Sequence, residues 1–216
     1  MPLFALDKQI TFPPVHLAEP DGLLAVGGDL STERLLMAYR SGIFPWYEGE
    51  HILWWCPDPR FVMYPDELKV SKSMKILLKR QAFDFTINQA FTQVINSCKT
   101  ISRKEQDGTW ITDEVKKAYT RLHQLGYAHS GEVWQDGMLV GGLYGVRLGK
   151  VFFGESMFSK ASNASKYAFI SYVQQLRTEG VKLIDCQVYT EHLGSLGARM
   201  VARNVFIQEL KQGLET

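Results

Sequence analysis

The chain has 216 residues, of which 45% are hydrophobic, 12% aromatic and 22% charged, and this composition excludes a disordered or fibrous protein. It holds 24 Lys and Arg against 23 Asp and Glu, so its formal net charge of +1 provides no overall field to attract DNA or an anionic membrane. A polyanion that binds this protein must therefore contact a local basic patch.

Nothing in the sequence indicates a membrane span, an export signal or a metal site. The longest uncharged apolar runs are far below the ~20 residues that cross a bilayer. Met1–Phe12 lacks the basic start and long apolar stretch of a signal peptide, so we expect a cytoplasmic protein. The three cysteines and five histidines do not fall at zinc-ligand spacings. We expect reduced thiols, no metal and no cofactor.

Residues 1–60 are predicted to form a small N-terminal lobe. Most of the eight prolines lie here, and prolines favour short elements joined by turns. A helix is predicted over Thr32–Ser41, with Ser31 as its N-cap and Gly42 as its C-terminal stop. Ile52–Trp55 is predicted to be a strand, because it is short, apolar and aromatic.

Residues 61–216 alternate between strand and helix patterns, which predicts a larger second domain. Asp136-Gly137 lies between two apolar strands and predicts a tight hairpin turn. The predicted strands are 61–64, 83–87, 129–135, 138–146, 150–157 and 182–188, and the predicted helices are 71–81, 89–98, 112–126 and 163–179.

The order of these elements predicts an α/β (α+β) fold with a mixed, mostly antiparallel sheet. An antiparallel meander of three strands, a long helix and a further strand follow one another as in N-acetyltransferase-like (GNAT-like) domains. This analogy concerns the fold alone, and fold does not determine function. Such domains usually hold coenzyme A on a Gly-rich loop, whereas the corresponding segment Ser156–Asn163 contains no glycine. We therefore expect no coenzyme A loop.

A run of cations in a predicted helix is the first candidate functional feature. The segment contains no acidic residue, and at 100° per residue its cations project within an arc of roughly 140°. A solvated helix face usually includes Glu or Asp for pairing at i,i+4, so their absence favours a phosphate backbone as the partner. An ordinary solvated amphipathic helix is the alternative. The cations are Lys69, Lys72, Lys75, Lys79 and Arg80.

Polar side chains in two apolar strands are the second candidate feature. Glu155 lies within an apolar strand, where a carboxylate must be paired, protonated or functional. Asp185 and Gln187 alternate with apolar residues on a later strand, and period two predicts that both lie on one face. If the two strands are neighbours, the three side chains converge. The alternative is a structural hydrogen-bond network.

Six uncommon strings of residues occur along the chain. They are Gly-Gly-Asp-Leu from Gly27, Gly-Ile-Phe-Pro-Trp from Gly42, Trp-Trp-Cys-Pro-Asp-Pro-Arg from Trp54, Gly-Thr-Trp-Ile-Thr from Gly108, Gly-Glu-Ser-Met-Phe-Ser from Gly154 and Leu-Ile-Asp-Cys-Gln from Leu183. Together they closely resemble the leucyl/phenylalanyl-tRNA–protein transferase family. The resemblance extends in the same order from about Phe12 to Ala198.

The resemblance implies a bacterial cytoplasmic enzyme that moves Leu, Phe or Met from aminoacyl-tRNA to the N-terminal Arg or Lys of acceptor proteins. Those proteins would then enter the N-end rule degradation route. The resemblance also implies a reaction centre of Glu155, Asp185 and Gln187. The residues it implies around the terminal aminoacyl-adenosine are Trp46, Trp110 and Phe152. We expect a monomer that binds no membrane.

Apolar residues on neighbouring elements are candidates for the amino-acid pocket, and the alternative is that they form ordinary core. A deep apolar pocket accepts Leu, Phe and Met but crowds a side chain branched at Cβ. Met157 lies two residues after Glu155 and is expected to share its face, whereas Ile184 reaches the site only if its strand is bulged or splayed. The candidates are Leu143, Met157, Phe169, Tyr172, Leu176 and Ile184.

The chemistry of aminoacyl transfer agrees with these residues. An aminoacyl ester is already activated, so direct attack by an amine needs no covalent enzyme intermediate, and the sequence shows no Ser-His or Cys-His nucleophile pattern. Asp185 is a candidate acceptor of the amine proton, directly or through Gln187 or water. Glu155 is alternatively a candidate for binding the cationic acceptor side chain. A coenzyme A-dependent N-acyltransferase and a non-catalytic RNA-binding module are the alternative functions.

Overall fold

The structure is a computed structural model that describes residues 3–101 and 110–215. Residues 102–109, which include the start of the Gly-Thr-Trp-Ile-Thr string, lie outside the described residues. Within the two described ranges, no helix is long and apolar enough to cross a membrane. The helices are α1 (Thr32–Arg40), α2 (Lys72–Lys79), α3 (Phe91–Thr100), α4 (Asp113–Gln124), α5 (Ala164–Thr178), α6 (Glu191–Ser195) and α7 (Arg203–Leu214). The strands are β1 (Phe4–Leu6), β2 (Leu23–Gly27), β3 (Phe44–Pro45), β4 (Leu53–Trp55), β5 (Arg60–Met63), β6 (Asp84–Ile87), β7 (Ala128–Gln135), β8 (Met138–Leu148), β9 (Val151–Ser159), β10 (Leu183–Gln187) and β11 (Arg199–Val201).

The N-terminal lobe contains a four-stranded sheet in the order β1-β2-β4-β3. α1 begins as predicted, because the Ser31 side chain accepts a hydrogen bond from the Arg34 N–H and satisfies one of the unpaired donors at the helix start. The helix ends at Arg40, and Gly42 follows with a φ of 75°, a conformation that favours glycine. α1 contacts both α4 and α7, so the lobe packs directly on the rest of the chain.

A seven-stranded sheet in the order β11-β5-β10-β9-β8-β7-β6 forms the larger part of the protein. Its neighbouring strands are antiparallel except β9 and β10, which pair in parallel. Asp136 and Gly137, with φ of 51° and 73°, form the tight turn between β7 and β8. α5 connects β9 to β10. The predicted α/β fold, with its mixed, mostly antiparallel sheet in GNAT-like order, is confirmed.

Apolar side chains alternate between the two faces of the large sheet and form two hydrophobic clusters. The first cluster includes Phe153 and Leu183 and covers the face on which α1, α3, α4 and α7 pack. The second cluster includes Phe152 and Ile184 and covers the face on which α2, α5 and α6 pack. The first cluster also contains Trp54 of the N-terminal lobe, so the two sheets share one core. The division of the chain at residue 60 into two domains stays a prediction.

The basic helix starts later than its cations predict. α2 begins at Lys72, because the Ser71 side chain accepts a hydrogen bond from the Met74 N–H. Lys69 precedes the helix, and its backbone N–H donates to the Leu196 carbonyl oxygen at 2.8 Å. The prediction that Lys69 belongs to the helix and to its basic arc is therefore wrong.

Candidate active site

Glu155 is placed by a bulge in β9. Gly154 pairs with Gly145 and Ser156 pairs with Tyr144, so Glu155 is the extra residue between two paired positions. A bulge re-aims the side chain of its extra residue. Glycine is required at position 145 of the partner strand, because a Cβ there would lie 2.2 Å from a backbone oxygen of β9.

Hydroxyl and amide groups from three other elements surround the Glu155 carboxyl group. Tyr39 of α1 donates to its Oε1 at 2.7 Å, and Tyr119 of α4 donates to its Oε2 at 2.9 Å. Gln187 of β10 donates from Nε2 to Oε1 at 3.2 Å. The two tyrosine hydroxyls also form a hydrogen bond with each other. The N-terminal lobe and the large sheet therefore meet at this carboxyl group.

The surroundings of Glu155 act on its pKa in both directions. Burial, assisted by the charge of Asp185, raises the pKa of Glu155 to about 7, although hydrogen bonds from the tyrosines and Gln187 lower it. Burial also raises the pKa of both tyrosines, which remain proton donors. Glu155 is therefore able to exchange a proton near neutral pH.

A second bulge lies in β10 beside the first. Asp185 pairs with Val62 and Gln187 pairs with Phe61, so Cys186 is the extra residue. Gln187 has a φ of 65°, in the left-handed region that few non-glycine residues adopt. The predicted shared face of Asp185 and Gln187 is retained across the bulge. Their partners, Arg60 and Glu155, both contact side chains of the first cluster, whereas Cys186 packs against the second.

Asp185 is fully buried and paired with Arg60. Arg60 donates from Nε and Nη2 to the two carboxylate oxygens at 2.8 and 2.7 Å. The guanidinium group of Arg60 also lies 4.7 Å from the ring centroid of Phe44 and 4.6 Å from that of Phe206. The Asp185 Oδ1 accepts the backbone N–H of Gln187 at 2.9 Å. The carboxylate that pairs with Arg60 therefore also bonds to the backbone of Gln187, where φ is positive.

An apolar cavity of about 510 Å³ opens between β9 and β10. The two strands pair over Leu183–Asp185 and Val151–Phe153 and separate beyond those residues. Glu155 lines the cavity, whereas Asp185 does not. Tyr172 and Leu176 belong to the second cluster and are not among the described residues that line the cavity. The candidate substrate-binding residues that line the cavity are Leu143, Phe152, Met157, Phe169 and Ile184.

The bulge at Glu155 changes which residues share a face. Met157 pairs with Leu143 and packs against the second cluster, whereas Glu155 contacts tyrosines of the first cluster. The predicted shared face of Met157 and Glu155 is therefore wrong, although both residues line the cavity. Ile184 reaches the cavity where β10 separates from β9, as expected for a splayed strand.

The two tryptophans implied around the terminal adenosine have different environments. Trp46 is 40% exposed, and its ring centroid lies 5.9 Å from that of Trp55. Trp110 is buried and packs edge-on against Tyr119, with 6.4 Å between centroids. Neither is among the described residues that line the cavity. Trp46 thus offers an exposed stacking surface, while Trp110 supports Tyr119.

The predicted tRNA-binding cations form an exposed surface. α2 packs on α5, the helix that carries Phe169 into the cavity wall, so the basic surface lies on the same face of the sheet as that wall. Met74 points into the second cluster and leaves the opposite side of α2 to solvent. The exposed cations are Lys69, Lys72, Lys75, Lys79 and Arg80.

Three residues of the site were missed by sequence reasoning. Tyr39 and Tyr119 occupy buried positions of amphipathic helices, a pattern typical of ordinary core. Arg60 begins a strand, and no sequence pattern pairs it with Asp185. In the ranges 3–101 and 110–215, no three His, Cys, Asp or Glu side chains are grouped as metal ligands.

Fold and site together define a class of protein: an α/β protein with a GNAT-like sheet, whose separated strands hold a hydrogen-bonded carboxyl group at an apolar cavity. Two sequence models match the chain. The one described as leucyl/phenylalanyl-tRNA protein transferase matches residues 62–211, and the one described as the N-terminal domain of that protein matches residues 28–58. The chain belongs to the leucyl/phenylalanyl-tRNA protein transferase family, which confirms the resemblance found in the sequence.

Similar proteins span nearly the whole chain. A leucyl/phenylalanyl-tRNA–protein transferase of Syntrophus aciditrophicus (strain SB) is 58% identical over 215 residues, which cover 99% of this chain and 90% of that protein. One of Christiangramia forsetii is 57% identical over 211 residues, which cover 96% of this chain and 100% of that protein. Among solved structures, a GCN5-related N-acetyltransferase from Kribbella flavida has a TM-score of 0.41 and 10% identity, over 75% of this chain and 58% of that one.

Proposed function

We propose that this chain transfers Leu, Phe or Met from aminoacyl-tRNA to the N-terminal Arg or Lys of acceptor proteins, acting as a monomer in the bacterial cytoplasm. The new N-terminal residue would direct the acceptor into N-end rule degradation. The observation that carries the proposal is the hydrogen bond between Gln187 and Glu155 at an apolar cavity. The cavity suits an apolar amino-acid side chain, and the carboxyl group suits an amine that must lose a proton.

The proposed reaction is a direct aminolysis of the aminoacyl ester. The neutral α-amine of the acceptor attacks the ester carbonyl carbon, a C–N bond forms, and the bond from that carbon to the ribose oxygen of tRNA breaks. The ionised Glu155 takes the proton that the amine loses and returns it to the departing oxygen, so no net proton is consumed. Gln187 orients Glu155 through its amide N–H. Positioning of the amine against the ester supplies much of the rate.

The different environments of the two carboxyl groups support Glu155, rather than Asp185, as the proton acceptor. Glu155 lines the cavity and has a pKa of about 7, close to the pH at which the reaction would run. Asp185 is buried and has both carboxylate oxygens bonded to Arg60. Asp185 is therefore a positioning residue in this proposal, and it acts through the backbone of Gln187.

The proposed function is tested by offering the purified full chain two donors. One donor is tRNA charged with labelled leucine and the other is labelled acetyl-coenzyme A, each with a peptide that begins with Arg. We expect label from leucyl-tRNA in the peptide, and none with a matched peptide that begins with Ala or carries a blocked N-terminus. Transfer from acetyl-coenzyme A, or RNA binding without transfer, would contradict the proposal in favour of one of the alternative functions.

Substitution of the α2 lysines should weaken tRNA binding through the loss of phosphate contacts. In the triple variant Lys72→Ala, Lys75→Ala and Lys79→Ala, the slope of log affinity against log salt should fall by ~0.7–0.9 for each lost contact. The loss should be similar for every tRNA, because phosphates carry no sequence information. The matched control is Lys182→Ala with Lys211→Ala, two exposed lysines outside α2. An unchanged slope in the triple variant would remove α2 from the interface.

Changes in the cavity wall should alter the choice of amino acid. Met157→Ala widens the cavity, so leucine transfer should fall more than phenylalanine transfer, by about tenfold in the ratio of kcat/KM. Leu143→Phe narrows it and should penalise phenylalanine. Leu176→Val is the control, because Leu176 belongs to the same cluster without lining the cavity and its substitution should leave the ratio unchanged. Equal losses with both charged tRNAs would assign these side chains to the core alone.

A further inference from the structure

Two buried tyrosines connect the N-terminal lobe and the large sheet at the Glu155 carboxyl group. Tyr39 lies on α1 of the lobe, and Tyr119 lies on α4, which packs on the large sheet. Their hydroxyl groups donate to different oxygens of Glu155. Neither tyrosine is among the described residues that line the cavity. The two tyrosines therefore act on a substrate through Glu155 rather than by direct contact.

Aromatic neighbours hold both hydroxyl groups in place. The ring centroid of Tyr39 lies 4.9 Å from that of Phe153, a residue of β9 just before the bulge. The Tyr119 ring packs edge-on against Trp110 and Tyr144, at 6.4 and 5.7 Å between centroids. Close-packed side chains in a core have little freedom to change rotamer. The positions of the two donors are therefore determined by packing, before any substrate binds.

The donors are distributed unevenly over the two oxygens of Glu155. Oε1 accepts hydrogen bonds from Tyr39 and from the Gln187 Nε2, whereas Oε2 accepts one from Tyr119. An ionised carboxylate has about four acceptor positions, two on each oxygen. With the donors of the described residues counted, Oε2 is the oxygen that has the capacity to accept a further hydrogen bond from a substrate amine.

The tyrosine hydroxyls oppose the effect of burial on Glu155. Burial is the largest influence and raises the pKa of Glu155, and the negative charge of Asp185 raises it further. Hydrogen bonds from Tyr39 and then Tyr119 are the largest influences that lower the pKa. Arg60 also interacts electrostatically with Glu155, but its guanidinium group is paired with Asp185. The ionised form of Glu155 therefore depends mainly on the two hydroxyls.

We propose that Tyr39 and Tyr119 are positioning residues that hold the Glu155 carboxylate with Oε2 available to the acceptor amine, so that the N-terminal lobe completes the reaction centre through Tyr39. This inference rests on the proposed function, in which Glu155 takes the amine proton. Loss of either hydroxyl leaves a carboxylate oxygen in a desolvated site without that donor. Glu155 should then lose its proton only at higher pH, and less of the ionised form is present at pH 7.

The test follows the ionisation of Glu155 in the full chain, labelled with carbon-13 at the carboxyl groups of glutamate side chains. The Glu155 signal is assigned by its absence in Glu155→Gln, and its chemical shift is measured against pH. Tyr39→Phe and Tyr119→Phe each remove one hydroxyl and keep the ring. A milder change places 3-fluorotyrosine at position 39, which makes that hydroxyl a stronger donor. Tyr167→Phe is the matched control, because Tyr167 is buried in the second cluster against Phe83.

We expect a midpoint of about 7 in the unsubstituted chain and in the Tyr167→Phe control. The midpoint should be about 1 pH unit higher in Tyr39→Phe and in Tyr119→Phe, and lower with 3-fluorotyrosine. The pH step of kcat in single-turnover kinetics should move in the same direction, which a general loss of stability would not produce.

An unchanged or lower midpoint in a folded Phe variant would overturn the inference. If neither Phe variant folds, an unchanged midpoint with 3-fluorotyrosine would overturn it instead. Failure of the proposed function has a different signature. The midpoints would then move as expected, while the unsubstituted chain transfers no leucine from its tRNA.

Discussion

Replacement of Glu155 by Gln should lower turnover by about 10²–10⁴-fold, because the variant loses the group proposed to carry the amine proton. The change keeps the size of the side chain and the contacts of its oxygen with Tyr39. In the unsubstituted chain, kcat should rise with pH through about 7, the pKa of Glu155. Single-turnover kinetics with leucyl-tRNA at saturation, from pH 5.5 to 8.5, measures both effects. The residual activity of the variant should lose this pH step.

The stability of the same variant distinguishes this role from a structural one. The pKa of Glu155 is raised above its unfolded value of 4.5, so the folded chain binds more protons and its stability falls as pH rises from about 4.5 to about 7. At pH 8 Glu155 is ionised, and Glu155→Gln removes that charge from its desolvated site. The variant should therefore be at least as stable as the original chain at pH 8. Urea unfolding at pH 5 and pH 8 measures this difference. Full turnover in the variant, or a large loss of stability at pH 8, would contradict the proton-acceptor role.

Breaking the buried pair of Arg60 and Asp185 should have the largest effect on stability. Arg60→Met leaves an uncompensated carboxylate in the core, and Asp185→Leu leaves an uncompensated guanidinium group, so each should cost about 3–5 kcal/mol of unfolding free energy. The double variant replaces both charges by apolar side chains and should be more stable than either single variant. Urea unfolding of all four proteins, analysed as a double-mutant cycle, measures the coupling.

The turnover of these Arg60 and Asp185 variants shows whether the ion pair positions the reaction centre. In the double variant the Gln187 N–H loses its acceptor, so turnover should fall even where the fold is recovered. Asp185→Asn keeps an oxygen near that N–H and removes the charge, and we expect its turnover to fall by roughly 10²-fold if the Gln187 backbone depends on the ion pair. Near-normal turnover in a folded double variant would show that neither Asp185 nor Arg60 positions the reaction centre.

Much of the fold was predictable because its determinants are local. Ser31 and Gly42 mark the two ends of α1 through capping interactions that involve only neighbouring residues. Asp136-Gly137 determines the hairpin of β7 and β8 in the same way. The start of α2 is also determined locally, by the Ser71 cap. The prediction placed Lys69 in the helix because the run of cations extends beyond that cap.

The candidate site was predictable where a polar residue interrupts an apolar strand. Glu155 and Gln187 attract notice for that reason, since a buried polar group needs a partner, and the structure joins them by a hydrogen bond. Asp185 was found by the same pattern, but its contact with Arg60 and its absence from the cavity lining could not be predicted. The sequence alone left open which carboxyl group handles a proton, because burial and charge partners determine a pKa.

The sequence by itself determined the order of the elements, their caps and turns, and which residues are polar where apolar ones are expected. Only the tertiary structure decided the geometry of the site. A bulge arises when a strand has one residue more than the partner it pairs with. The bulge at Cys186 therefore depends on β5, which is distant in the sequence, and the bulge at Glu155 depends on how β9 pairs with β8. Tyr39 and Tyr119 lie on different helices, and the packing of those helices against the sheet brings their hydroxyls to Glu155. Local propensities carry no information about such contacts, because they arise from the packing of elements that are far apart along the chain.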